Sequence, residues 1–158
     1  MPPTLIVDLS TVDLGRTVLD RAAVEARIPQ RHEMAFLDAV HMVDAEKGIA
    51  VGSRAVRPDE FWVRGHIPGR PILPGVLAVE AMAQLCTLLY KVQHPEDDRF
   101  WGFGGVDGVK FRGQILPGDR MVLLARTSEV KSRKVVFEAQ VVVGDRMVVE
   151  AAITGMAV

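Results

Sequence analysis

Residues 64–92 read RGHIPGRPILPGVLAVEAMAQLCTLLYKV, and this stretch decides the fold. It joins a compact loop holding one histidine, His66, to a segment that is apolar on nearly every side. From Pro74 to Val92 the strongly polar side chains are Glu80, Gln84, Thr87 and Lys91, and a helix this apolar is normally buried in a core. Its length is about 28 Å at the usual rise per residue. Pro74 suits the first helical position, where its missing N–H costs nothing, and Gly75 lets another group approach the open amides of the first turn.

A carboxylate in such a helix needs a reason, because burying an ionised acid without a partner is expensive. Glu80 is that carboxylate. Upstream, His66 sits between Gly65 and Ile67-Pro68-Gly69, a setting of backbone punctuation that marks a loop. A histidine and a carboxylate are the minimum equipment for moving protons near neutral pH. A plainer reading is open as well: residues 80, 84, 87 and 91 share one helical face and would also serve as an ordinary solvated stripe.

Working outward toward the N-terminus, Arg16 to Arg27 carries Val18, Leu19, Ala22, Ala23 and Ala26 at helical spacing and ends before Ile28-Pro29, which predicts a short surface helix. Residues 1–15 form an arm or an extra strand. Phe36–Val43 and Gly48–Val56 read as strands joined through Lys47-Gly48. Arg54, Arg57, Arg64 and Arg70 gather before and inside the histidine loop, where they either solvate strand edges or offer a dock for an acidic carrier or a phosphate.

Beyond the helix, His94 to Asp98 is a polar stop. From Phe100 the pattern turns to strands, with Gly102, Gly104, Gly105 and Gly108 suggesting a strand that bends or bulges. Met121–Val130, Val135–Val143 and Met147–Met156 follow as long strands. Gly-Asp-Arg-Met occurs at both 118–121 and 144–147, turn chemistry used twice. One long buried helix with five or six mostly antiparallel strands makes an α+β fold in which a curved sheet wraps the helix.

Composition bounds the function. The chain has 158 residues, 49% of them hydrophobic, and a formal net charge of −1, which suits a single domain over 1–158 and points to neither nucleic acid nor an anionic membrane. No secretory leader is evident, and Glu80 and Gln84 interrupt the one apolar run that approaches the ~20 residues of a membrane span. Cys86 is the single cysteine, so internal disulfides and cysteine-rich metal sites are excluded, a cytoplasmic location fits, and the thiol reads as a buried small hydrophobe. The histidines lack metal-ligand spacing, and His32, His41 and His94 read as exposed and incidental. Neither a metal nor a nucleotide cofactor is expected, since Gly102-Phe103-Gly104-Gly105 lacks the spacing and following helix of a dinucleotide site.

The string GHIPGRPILPGVLAVEAMAQ at 65–84 resembles the signature of the β-hydroxyacyl-acyl carrier protein dehydratases of fatty-acid synthesis. IPQRHEMAFLDAV at 28–40 and GGVDGVKFRGQILPGD at 104–119 match further pieces in the same order, so the resemblance covers roughly residues 16–158. It implies the hot-dog fold, a dimer whose two sheets continue into one another and often three such dimers in a hexamer, and an acyl carrier protein or other acyl-thioester carrier as partner. It also implies a hydro-lyase whose catalytic histidine falls on His66 and whose catalytic acid falls on Glu80, each site taking the loop histidine from one subunit and the helical acid from the other. Related dehydratases that also isomerise double bonds carry aspartate at the helical position, so Glu80 favours plain dehydration.

Dehydration needs a base for the α-proton, a donor to the thioester oxygen and an acid for the departing hydroxyl. These tasks fall to His66, the Gly75 amide and Glu80. Gln84, one turn beyond Glu80, is placed to orient its carboxylate. Leu73, Val76, Val79, Met82 and Phe103 are candidates for the wall of an acyl tunnel, or simply core. In the early segment Gln30 stands where the resemblance has histidine and Glu33 where it has proline, which bears on substrate choice. The alternatives are a hot-dog thioesterase, in which Glu80 activates water, and a non-catalytic acyl-thioester binder.

Overall fold

The structure is a computed structural model that describes residues 3–158; the first two residues of the expected arm lie outside the described ones. A central helix, α2 (Gly75–Gln93), lies against a sheet of β1 (Ala39–Asp44), β2 (Ile49–Ala55), β3 (Trp101–Phe111), β4 (Arg120–Val130), β5 (Lys134–Val143) and β6 (Arg146–Ala157). The strands are ordered β1-β2-β4-β5-β6-β3, and every neighbouring pair is antiparallel. This is the α+β arrangement expected from the counting of elements.

The helix starts after Pro74 and stops at His94, whose N–H returns to the Tyr90 carbonyl, just before Pro95. Ala78, Ala81 and Ala83 are small and buried, so the backbone can sit close to the sheet, while Leu85, Leu88 and Leu89 fill the space between. By length and composition α2 is apolar enough to cross a membrane; here that apolar surface is used inside the sheet. The strands alternate as a two-faced sheet must. In β4, Met121, Leu123 and Ala125 join the helix-side core, and Val122 and Leu124 join a second cluster on the opposite face.

That opposite face is covered by the N-terminal segment. Leu5, Ile6, Val7 and Leu9 pack on Val51, Val122, Leu124 and Val142. The segment pairs with the Gln140 side chain, which accepts from the Ile6 N–H (2.9 Å) and donates to the Thr4 carbonyl (3.0 Å). It is therefore an arm held by side-chain bonds, ending in a short 3-10 turn at Leu9–Thr11, and does not join the ladder as a strand.

The helix expected over residues 16–27 is shorter. α1 spans Arg21–Glu25, because the Asp20 side chain caps it by accepting from the Ala23 N–H and because Val18 and Leu19 pair instead with the backbone of Val40 at the edge of β1. β3 does bulge, between Phe103 and Gly105 and again between Asp107 and Lys110. Both Gly-Asp turns use glycine in the left-handed region, Gly118 at φ 96° and Gly144 at φ 63°.

Two polar residues contradict the expectation of exposure. His41 is buried, its ring nitrogens bonded to the Arg16 carbonyl (2.8 Å) and the Ser53 hydroxyl (2.7 Å). Arg54 is only 2% exposed and is paired with Glu60, with its guanidinium 4.6 Å above the Phe36 ring. Burial lowers its pKa to about 10, which leaves it charged at neutral pH. His94 is half-buried and tilts its ring against Tyr90. Cys86 is buried as expected, and burial pushes its thiol well above the usual range.

Candidate active site

The Arg54–Glu60 pair anchors the loop that carries His66. Residues 61–70 form successive turns, closed by bonds from the Gly65 and His66 amides to the Trp62 carbonyl (3.3 and 2.9 Å) and from Arg70 to Ile67 (2.9 Å). Trp62 is buried beneath them and Gly69 takes φ 80°. Leu73 then ties the exit of the loop to Ile115 (2.8 Å).

His66 is exposed, and its Nδ1 lies 2.7 Å from the Ile72 carbonyl oxygen. A carbonyl can only accept, so Nδ1 carries the hydrogen and Nε2 presents a free lone pair. The ring borders a cavity of about 330 Å³ with Leu73, Gly75, Val76, Phe111 and Ile115. Gly75 lets the Phe111 ring lie close: a Cβ at this position would be 2.6 Å from that ring, which would have to shift. The Gly75 and Val76 amides at the start of α2 have no intrahelical acceptor, and both residues line this cavity, while the Leu77 amide is bonded to the Pro74 carbonyl (2.9 Å).

Glu80 faces a different space. It is half-buried and lines a narrow cavity of about 120 Å³ with Gln30, Cys86, Tyr90, Phe103 and Phe137. Its carboxylate accepts from Gln84 Nε2 (2.9 Å), and the same nitrogen donates to the Met34 carbonyl (2.7 Å) while Gln84 Oε1 accepts from the Phe36 N–H (2.9 Å). Only one orientation of the amide satisfies these partners. The polar face at 80, 84, 87 and 91 is therefore not a solvated stripe. Gln84 is 1% exposed, Thr87 donates to the Ala83 carbonyl (2.9 Å), and Lys91 donates to the Asp97 and Arg99 carbonyls (2.9 and 3.1 Å).

The far end of the Glu80 cavity is closed by a hub on Asp97. Its carboxylate accepts from the Tyr90 hydroxyl (2.7 Å), Trp101 Nε1 (3.1 Å) and the Arg99 guanidinium (2.8 Å). These donors, Arg99 foremost, hold Asp97 well below the usual carboxylate range, and burial with the Asp97 contact pushes the Tyr90 phenol up to about 12.

A single chain thus does not bring the candidate residues together. His66, Gly75, Val76 and Leu73 line one cavity; Glu80 and Phe103 line another, with Gln84 buried behind Glu80. Met82 is fully buried core and Val79 packs against that core, so neither joins the expected tunnel wall. Gln30, which the sequence marks as a departure from the dehydratase motif, lines the Glu80 cavity, a placement beside Glu80 that no local pattern gives. Among the described residues no cluster of histidine, cysteine and carboxylate side chains is arranged to hold a metal.

Residues 28–152 match the family model of the FabA-like domain. A 3-hydroxyacyl-[acyl-carrier-protein] dehydratase FabZ of Moorella thermoacetica is 36% identical over 115 residues, which cover 73% of this chain and 80% of that protein. The protein of the same description from Albidiferax ferrireducens is 31% identical over 144 residues, 89% of this chain and 95% of the relative. Among solved structures, the dehydratase heterocomplex ApeI:P of Xenorhabdus doucetiae superposes with a TM-score of 0.72 at 17% identity, over 85% of this chain and 90% of that one; that likeness concerns the fold. On the match of residues 28–152 and on these identities, the chain belongs to the FabA-like family, in the hot-dog group of FabZ-like β-hydroxyacyl thioester dehydratases.

Proposed function

We propose that the protein dehydrates β-hydroxyacyl groups carried as thioesters on acyl carrier protein, giving trans-2-enoyl thioesters. His66 Nε2 removes the α-proton. The electrons left on the α-carbon form the double bond as the β-carbon to oxygen bond breaks, and a proton from the Glu80 carboxyl converts the departing hydroxyl to water. Charge that builds on the thioester oxygen is met by the Gly75 N–H at the start of α2. One proton must then pass from the imidazolium back to Glu80, through solvent, before the next turnover.

The observation that carries this reading is the pair of preparations. The Ile72 carbonyl leaves Nε2 of His66 free to act as a base, and Gln84 aims Glu80 into an apolar cavity. Dehydratase relatives at 36% and 31% identity support it. Arg57, Arg64 and Arg70 are exposed around the histidine loop and suit an acidic carrier, whereas buried Arg54 does not take part.

A complete site requires two copies. The His66 cavity lies against Phe111 and the Glu80 cavity against Phe103, at opposite ends of β3 and on the order of 25 Å apart along the strand. β3 is the last strand of the sheet, and Phe103, Val106 and Phe111 are exposed on it. Antiparallel pairing of β3 with β3 of a second copy, about a two-fold axis near Asp107, sets Phe103 of one chain beside Phe111 of the other. His66 of one subunit then meets Glu80 of its partner. The protein is on this reading a soluble homodimeric enzyme of the cytoplasm, and it uses no cofactor.

Two measurements test this. The protein is incubated with a β-hydroxyacyl thioester while enoyl absorbance and free thiol are followed together; absorbance without thiol supports dehydration, and thiol release makes it a thioesterase. Inactive His66→Ala and Glu80→Gln chains are then unfolded, mixed and refolded. Shared sites regenerate about a quarter of wild-type activity in a statistical mixture. A mixture that stays inactive places both residues of each site in one chain and overturns the two-copy reading.

A further inference from the structure

The wall of the Glu80 cavity includes a residue, Gln30, with a buried polar atom that neither the fold nor the proton chemistry uses. Gln30 follows Pro29 on the segment between α1 and the turn at His32–Met34, and its side-chain Oε1 is buried with no hydrogen-bond donor among the described residues. Of the other polar side chains of this wall, Thr87 is engaged with the Ala83 carbonyl, Tyr90 with Asp97, and one oxygen of the Glu80 carboxylate with Gln84, and Thr154 completes the polar lining. The surfaces around them are Phe100, Phe103 and Phe137. An acceptor held dry without a donor is destabilised relative to one in water, and a ligand that supplies the donor recovers that difference on binding. A plain hydrocarbon chain leaves the acceptor unsatisfied. Gln30 is also a position at which this chain departs from the dehydratase motif, so a feature of this chain's own is what faces the acyl space.

We infer that Gln30 is a specificity residue. Its carboxamide oxygen accepts a hydrogen bond from a hydroxyl or amide N–H carried on the acyl group beyond the reacting β-carbon, and the cavity therefore prefers a polar-substituted acyl chain to an unsubstituted one of the same length. This inference rests on the dehydratase reading for the identity of the thioester, and on the cavity alone for the preference.

The test uses the full-length protein and a matched series of carrier-bound β-hydroxyacyl thioesters, one plain and the others bearing a second hydroxyl at successive carbons along the chain. Wild type should favour at least one hydroxylated member by about tenfold or more in kcat/KM, since sites built to bond a donor discriminate against analogues that lack it. Gln30→Leu should lose that preference or reverse it, and Gln30→Glu, which keeps an acceptor, should retain it. Binding of the corresponding unreactive acyl thioethers, followed by calorimetry, should give the same order of Kd without any turnover. Equal affinities across the series, or a preference that survives in Gln30→Leu, overturn the inference whether or not the protein dehydrates. Preferential binding without dehydration upholds the inference while removing the dehydratase reading. Gln30→Leu should also melt no lower than wild type, because it removes an unpaired buried acceptor; a lower melting temperature would make Gln30 a support of the fold and overturn its assignment to substrate.

Discussion

His66 and Glu80 are held in opposite ways. The histidine stands on exposed turns and is fixed by one hydrogen bond to a carbonyl of its own loop. The glutamate stands on a buried helix and is fixed by a glutamine that is itself bonded to the backbone at two points of the segment 34–36. A ring on turns can be approached by a substrate and by a second subunit. An acid on a packed helix keeps its direction while the substrate changes. The loop supplies access and the helix supplies aim, and the proposed site divided between two chains would need both.

The largest effect comes from removing either partner. His66→Ala and Glu80→Gln should each lower kcat by about a thousandfold, within the usual range for a positioned base or acid, with melting temperatures close to wild type. A variant that retained more than a tenth of the rate would take its residue out of the chemistry. Gln84→Leu removes the aim and leaves the acid. It should lower kcat by about 10- to 100-fold and destabilise the fold by about 1–3 kcal/mol, because the Phe36 N–H and Met34 carbonyl lose their partner. Among the described residues His66 is held by the Ile72 carbonyl and by no side chain, so a rate unchanged by Gln84→Leu would erase the difference between the two regions.

Gly75→Ala probes the boundary between them. The new methyl group would press on the Phe111 ring, and a loss of about tenfold in kcat/KM is expected from displacement of the helix start. Phe111→Leu in the same chain should recover part of it. The smallest effect on rate is expected at Asp97, which closes the cavity away from His66 and Glu80. Its carboxyl is held below the usual range, so its contribution to stability is complete above about pH 4 and is lost as the pH falls further. Asp97→Asn should lower the melting temperature at neutral pH and flatten its decline on the acid side of pH 4, with little change in kcat.

The elements with a regular period were legible in the sequence. β4, β5 and β6 lie within a residue or so of their expected bounds, because alternation and turn glycines mark them. α1 was not, since its length is decided by a cap at Asp20 and by pairing of Leu19 with the distant Val40. Arg54 carried a signal that went unread: in β2 it falls on the same alternate positions as Ala50 and Gly52, on the face that packs toward the helix. Charge suggested solvent, while the period of two placed it inside beside Glu60. His66 and Glu80 stood out as residue types in unusual settings, yet their separation into two cavities depends on where β3 lies in the sheet, and strand order leaves no mark on a local pattern.

The two margins of the sheet are not alike. β1 is engaged at its outer side by Val18 and Leu19, beside an irregularity between Val40 and Met42, and the broad outer face is sealed by the arm that Gln140 clasps. β3 remains open along its length. A sheet with one stopped margin and one open margin can be doubled but has no means of growing further, so the margin through which we propose that a second copy completes the site also guards against runaway fibre formation.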